Sequence, residues 1–239
     1  MRKLSALLLG AATIFAAVGC AGGETPLLGT GNNPRVRSVN AFQTDVPVNV
    51  YVGDEQIGTN VQFGQTSQDS IQRSGSHNVR FVNATTGQEL VTRPFEFELN
   101  SDYVIVGHRT DSGTNGAFVF RANRTSSETQ AQLRVVSASF DLANSDVFVF
   151  PRGGDNGING RTPTFSILQN NEGIVQEEVN FDPGTYNVIV TRRGDPGGVL
   201  VSQVVTLSAG DNQTFILARE GGVRKIIVFR ETGTGATEP

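Results

Sequence analysis

The residues of this chain that could do chemistry are of three kinds: the single cysteine Cys20, the histidines His77 and His108, and two short loops in which Asp, Asn and Gly alternate. A histidine acting as a base needs a carboxylate to orient it and a nucleophile to face. No G-x-S-x-G turn or comparable elbow occurs here, and the two histidines fall in different strand-like segments, so both read as structural. The loops Asp111-Ser-Gly-Thr-Asn115-Gly116 and Asp155-Asn-Gly-Ile-Asn159-Gly160 share a spacing with calcium loops. Both lack the acidic third ligand, and Ala122 and Ser166 stand where a bidentate Glu closes such a site. Gly, Asn and Asp also supply the positive φ angles of tight hairpins. That reading is preferred, so no metal and no cofactor are expected.

Cys20 has a clearer context. Arg2 and Lys3 precede an uncharged run of apolar and small residues from Leu4 to Val18, the profile of an export signal. The run is shorter than the roughly 20 residues of a membrane-spanning helix, so residues 1–19 read as a cleaved leader. Ala17-Val18-Gly19-Cys20 resembles the bacterial lipobox, whose cysteine is acylated and becomes the new N-terminus. A lone cysteine has no partner for an internal disulfide, and lipidation gives it a use. Ala17 stands where the lipobox prefers Leu, and ordinary cleavage near Ala21 is the alternative. Two or more acyl chains, each contributing about 0.8 kcal/mol per buried methylene, would make the anchor effectively permanent. The expected address is the cell envelope, lipid-anchored at the membrane through Cys20. Ala21 rather than Asp follows the cysteine, which favours the outer membrane in a Gram-negative cell; otherwise the site is the outer face of the cell membrane.

Composition limits the partners. Arg2 and Lys3 leave with the leader, so 17 of the 19 basic residues remain against 23 acidic ones, a net charge of −6. The arginines are scattered among acids, whereas a nucleic-acid partner calls for a clustered basic face. No nucleic acid is expected.

Beyond the leader the chain reads as strand after strand. Val48, Val50 and Val52 alternate with Asn49 and Tyr51, and Phe95, Phe97 and Leu99 alternate with Glu96 and Glu98, the period of a half-buried strand. Turns such as Val52-Gly53-Asp54 and Asp182-Pro183-Gly184 separate them. The pattern also repeats. Residues 36–52 align without gaps on 133–149, with identities at Arg37/Arg134, Val39/Val136, Ala41/Ala138, Val50/Val147 and Val52/Val149. The register then slips by about a dozen residues, placing an insertion in the second copy, and resumes with His77 on Tyr186 and AFVFR on IIVFR. The expected organisation is a tether at 20–34, β-sandwich repeats at 35–124 and 131–231, and a disordered tail at 232–239. The fold class is all-β: two tandem antiparallel, immunoglobulin-like β-sandwiches.

The strings VRSVNAF, VNVYVG and VQFGQTS of the first copy, with LRVVSAS, DVFVF and FDPGTYNVIV of the second, resemble the bacterial family called domain of unknown function 4397. The resemblance covers most of residues 35–219. It implies an exported protein, often a lipoprotein, with the domain in tandem and no established activity. Asn40 and Ser137 depart from the family, which often has His there, and the insert RGGDNGINGR is a further departure.

Strand alternation turns Tyr51 and Phe148 away from their cores, with Phe150 beside the latter. An aromatic at the same outward position in both copies marks a candidate contact surface. The preferred reading is a noncatalytic envelope module, not an enzyme, which presents its sandwiches to an envelope protein, a glycan or another copy of itself. The alternative is a metal-dependent or carbohydrate-active accessory enzyme with its site in the Gly-rich loops.

Overall fold

The computed structural model describes residues 33–43, 46–110, 113–122, 127–153, 157–168 and 178–231. The leader, Cys20, nearly all of the tether and the tail 232–239 lie outside them. Every described residue belongs to one unit spanning 31–239.

Among the described residues the regular structure is strand, apart from a 3-10 turn at Phe140–Leu142. The first copy holds β1 (Arg35–Ala41), β2 (Val48–Val52), β3 (Glu55–Val61), β4 (Ser70–Ile71), β5 (Gly75–Asn83), β6 (Glu89–Phe97), β7 (Asp102–Arg109) and β8 (Asn115–Ala122). The second holds β9 (Ala131–Ser137), β10 (Ser145–Pro151), β11 (Phe165–Ile167), β12 (Val179–Phe181), β13 (Gly184–Arg192), β14 (Asp195–Leu207), β15 (Asn212–Glu220) and β16 (Val223–Arg230). Each copy pairs its strands into two four-stranded sheets. The orders are β3-β2-β5-β6 and β4-β1-β7-β8, then β11-β10-β13-β14 and β12-β9-β15-β16. The second copy thus repeats the first with every index raised by eight.

Alternation places the cores. Val48, Val50 and Val52 of β2 point inward with Val79 and Phe81 of β5, and meet Val36, Tyr103 and Ile105 of the facing sheet. The second copy does the same with Val147, Val188 and Val190 against Leu133, Phe215 and Leu217. One detail differs from an antiparallel plan: the pairs β1–β7 and β9–β15 are parallel. Parallel neighbours need a long crossover, and here all the strands of the other sheet lie between β1 and β7 in the chain. Gly107 on β7 is required by close approach, since a Cβ there would lie 2.5 Å from the Phe42 ring and 2.8 Å from that of Phe81.

The copies are not beads on a linker. A third core forms between β4-β1-β7-β8 and β12-β9-β15-β16, built from Val39, Ala41, Val106 and Phe120 against Val136, Ala138, Ile216 and Phe229. Four sheets are therefore stacked, and β1, β7, β9 and β15 are covered on both faces. That is why β7 and β15 read as near-continuous apolar runs, YVIV and FILA, instead of alternating.

Two arginines cross this third core with approximate twofold symmetry. Arg37 stacks 4.8 Å from the Phe229 ring and donates to the Arg230 carbonyl at 3.1 Å. Arg134, its equivalent, stacks 5.5 Å from the Phe120 ring and donates to the Arg121 carbonyl at 2.9 Å. Each is held on its own side by a carboxylate just before the short edge strand, Asp69 for Arg37 at 2.9 Å and Glu178 for Arg134. Glu231 breaks the symmetry. Its side chain is 1% exposed, accepts from Arg134 Nε at 2.8 Å and from the Thr214 hydroxyl, while its carbonyl accepts from Arg37. Ala122 occupies the corresponding place in the first copy.

Breaking a buried pair from one side leaves a charge uncompensated, at a cost of roughly 3–5 kcal/mol. Arg134 keeps Glu178, so Glu231→Ala is expected to lower stability by less than that, about 1–3 kcal/mol, in urea unfolding. The double variant Arg134→Met/Glu231→Leu should recover much of the loss, and a Glu231→Ala chain as stable as the parent would contradict this account.

Candidate interaction surface

The outward faces of the two outer sheets are equivalent in backbone and different in chemistry. On β3-β2-β5-β6, register places Gln56, Tyr51, Arg80 and Thr92 in one row across four strands. Tyr51 is half-buried, and the Arg80 guanidinium lies 5.0 Å from its ring centre. A second contact at 3.5 Å aims Arg80 at the Gly53 carbonyl. Asn49, two residues before Tyr51, accepts from the Asn60 backbone, where φ is 53°. The row is wet, polar and open, with one aromatic set into it.

The corresponding row of the second copy runs through Phe148, Ile189 and Ser202. The expectation that Phe148 and Phe150 stand exposed is corrected here, for they are 3% and 4% exposed. They do point away from the main core, as alternation requires. The insert between β10 and β11 covers them: Ile158 packs on both rings, Ile189 joins from β13, and the Arg161 guanidinium lies 4.8 Å from the Phe150 ring centre. Arg161 also grips the insert through its Nε bond to the Gly157 carbonyl at 2.7 Å. In the first copy the same connection is the two-residue turn Gly53-Asp54, which is too short to cover anything. Tyr51 is therefore the one member of the predicted trio that remains open.

His77 stacks on Phe97 with ring centres 5.8 Å apart, and its Nε2 donates to the Arg73 carbonyl at 2.9 Å. Tyr186, at the equivalent place, donates its hydroxyl to the Asp182 carbonyl at 2.7 Å, also four residues back. Both side chains close the turn that enters their strand. His108 is buried against Phe118, ring centres 5.3 Å apart. Asp111 and Asp155 lie outside the described residues. Around the first, Thr110 and Thr114 close a hairpin by backbone and side-chain bonds, and Asn115 begins β8. Asn159 follows Ile158 in the covering insert. Among the described residues no group of three or more His, Cys, Asp or Glu is placed to hold a metal ion.

A shallow cleft of about 250 Å³ opens at one end of the first copy, lined by Val46, Asn83, Gln88, Leu90, Arg109 and Asn115. Its polar groups serve the local turns: Asn83 Oδ1 accepts from the backbone of Thr85 and Thr86, and Arg109 donates to the Gly113 carbonyl.

Burial pushes the Tyr186 phenol above its usual value near 10, and the Asp182 carboxylate adds to the shift. The folded chain thus favours the neutral phenol. Stability is intact below pH 10 and is lost as the pH rises through the folded-state value. Arg121, an exposed side chain, is likewise raised, first by its bond to Glu98 and then by Tyr103.

Residues 34–148 match the model of a protein family described as Domain of unknown function (DUF4397). The matched segment spans the first copy and ends at Phe148, inside β10. No curated protein matches the chain. Among solved structures, a similar one is the crystal structure of CBMbc (family CBM26) from Eubacterium rectale Amy13K in complex with maltoheptaose. The identity is 9%, over 86% of this chain and 98% of that one, with a TM-score of 0.27. A likeness of that degree carries no argument about what this chain binds.

Two outcomes follow from these contacts. Ile158→Ala should cost about 2–4 kcal/mol and expose the Phe148 and Phe150 rings to a hydrophobic dye; an unchanged melting point with no dye binding would mean the insert is not a cover. Tyr186→Phe should flatten the fall in stability above pH 10, read by chemical unfolding across a pH series. A variant as alkali-sensitive as the parent would remove Tyr186 as the cause.

Proposed function

We propose, for a chain whose residues 34–148 match the DUF4397 family model, a noncatalytic role in the cell envelope. A lipid on Cys20 holds the stacked sandwiches at a membrane, and the outer sheet of the first copy offers the Tyr51–Arg80 row to an envelope protein. In a Gram-negative cell the membrane is the outer one.

The single observation that carries the reading is the different treatment of one aromatic position. The second copy covers Phe148 with its own insert, through an apolar side chain and an arginine above the neighbouring ring. The first copy keeps its ring half-buried under Arg80, and the connection that carries the cover in the second copy is there only the turn Gly53-Asp54. A loop from a partner, lying where the insert lies on the second copy, is the occupant this arrangement favours over a glycan. Aromatic and arginine side chains are also those enriched at protein interfaces. The lipid anchor is supported by the leader and by the lone cysteine that ends it.

The test is pull-down from cells making the anchored protein. Tyr51→Ser and Arg80→Ala are expected to lose one specific envelope partner while melting at the parent temperature. Phe148→Ser serves as the destabilised control. If both first-copy variants recover the same partner as the parent, the Tyr51 surface is not the binding surface. The anchor is tested separately: incorporation of a tagged fatty acid is expected in the parent and should be absent in Cys20→Ser.

A further inference from the structure

We infer that this chain self-associates through the outer edge of β14, pairing it antiparallel with β14 of a second copy. This goes beyond the surface argued above, lies on the other sandwich, and stands without it.

An edge strand presents unpaired backbone donors and acceptors, and proteins guard such edges with charges, proline or bulges. The two copies offer a direct comparison, because β6 and β14 are equivalent edges of equivalent sheets. The β6 edge is guarded. It reads ELVTRPFEF, with Pro94 lacking an N–H, and self-pairing is opposed by charge. A register that sets Thr92 opposite Arg93 places Glu89 against Glu96. A register centred on Arg93 opposes two guanidiniums.

The β14 edge is guarded only at its start, where Asp195, Pro196 and a bulge lie. It is 13 residues long, reads DPGGVLVSQVVTL and carries no charge after Asp195. Val199 and Val204 are 54% and 44% exposed on it. A bulge at Val190–Arg192 disturbs its upstream end, and the Thr206 carbonyl accepts from Gln213 Nε2 at 3.4 Å. That leaves Leu200–Val205 as a regular run with which, among the described residues, no further strand pairs. Centred on Ser202, a twofold antiparallel pairing sets Val204 against Leu200 and Gln203 against Val201. No like charges meet in any register of this run, so the strand is complementary to itself where β6 is not. A twofold contact of this kind also closes at the dimer instead of growing into a fibre.

The experiment is sedimentation of the full chain in detergent, joined to cross-linking through introduced thiols. The parent is expected to sediment as a dimer. Val204→Glu, which sets two carboxylates into the pairing, should be monomeric at an unchanged melting temperature, whereas Thr92→Lys on β6 should remain dimeric. Opposed residues in an antiparallel pair lie ~4.5 or ~5.5 Å apart between Cα atoms, within disulfide reach. Ser202→Cys, which opposes itself, and the double variant Leu200→Cys/Val204→Cys, whose members oppose each other across the pair, are therefore each expected to form a disulfide-linked dimer on oxidation, with the unsubstituted chain controlling for Cys20. Tyr51→Ser should leave the dimer intact, which separates this inference from the partner surface above. A monomeric parent overturns it, as does a dimer that survives Val204→Glu, or the failure of both thiol variants to cross-link.

Discussion

Arg37 and Arg134 decide what kind of molecule this is. Without them the inner sheets would meet through Val, Ala, Ile and Phe side chains alone, an apolar contact that tolerates sliding. Each guanidinium instead stacks on an aromatic ring of the opposite copy and donates to a backbone carbonyl there. Those bonds form in one register only. A planar, permanently charged fork suits that task in a way a lysine does not. A buried ionic contact is weak evidence of net stability; its physical contribution here is to select one arrangement of two sheets that apolar packing would leave underdetermined.

Stacking restricts where binding can occur. The inner faces are occupied by each other, so partners are left with the two outer faces, the sheet edges and the loop ends. The second copy then removes part of one outer face from contention by folding its insert over Phe148 and Phe150. Duplication has supplied two equivalent surfaces, and divergence has buried one and left the other wet. The edges diverge in the opposite sense: the first copy guards β6 and the second leaves β14 bare beyond its start.

Much of the architecture is legible in the residues. Period-two alternation at Val48–Val52 and turn chemistry at Gly53-Asp54 point to strands and hairpins, and the alignment of Val36 on Leu133 exposes the repeat. The third core was also written there, in a form that alternation alone does not decode. Three of the five identities, at Arg37, Val39 and Ala41, share one parity on β1, and all three face the other copy. Selection on a sandwich core would have acted on the opposite parity, so identities on the outward one were the signal of a second buried face. The outward aromatics were less legible for a related reason. Periodicity fixes which side of a strand a residue occupies, but not what a loop ten residues away lays over it. Ile158 covers Phe148 through a tertiary contact that no local pattern announces.

Glu231 joins the two sandwiches at the end of β16. It follows the last strand of the second copy, yet its carboxylate holds Arg134 on β9 and its carbonyl receives Arg37 from the first copy. The final described residue of the chain is thus tied to the first strand of each sandwich. Its equivalent, Ala122, has no carboxylate with which to hold an arginine, and the difference has a physical logic. Ala122 leads directly into the connection between the copies, so covalent continuity already holds that end near β9. At the end of β16 the Glu231 carboxylate ties that strand to Arg134 of β9 and Thr214 of β15, and its carbonyl takes Arg37 from the first copy, so one residue fastens its own sheet and the facing one.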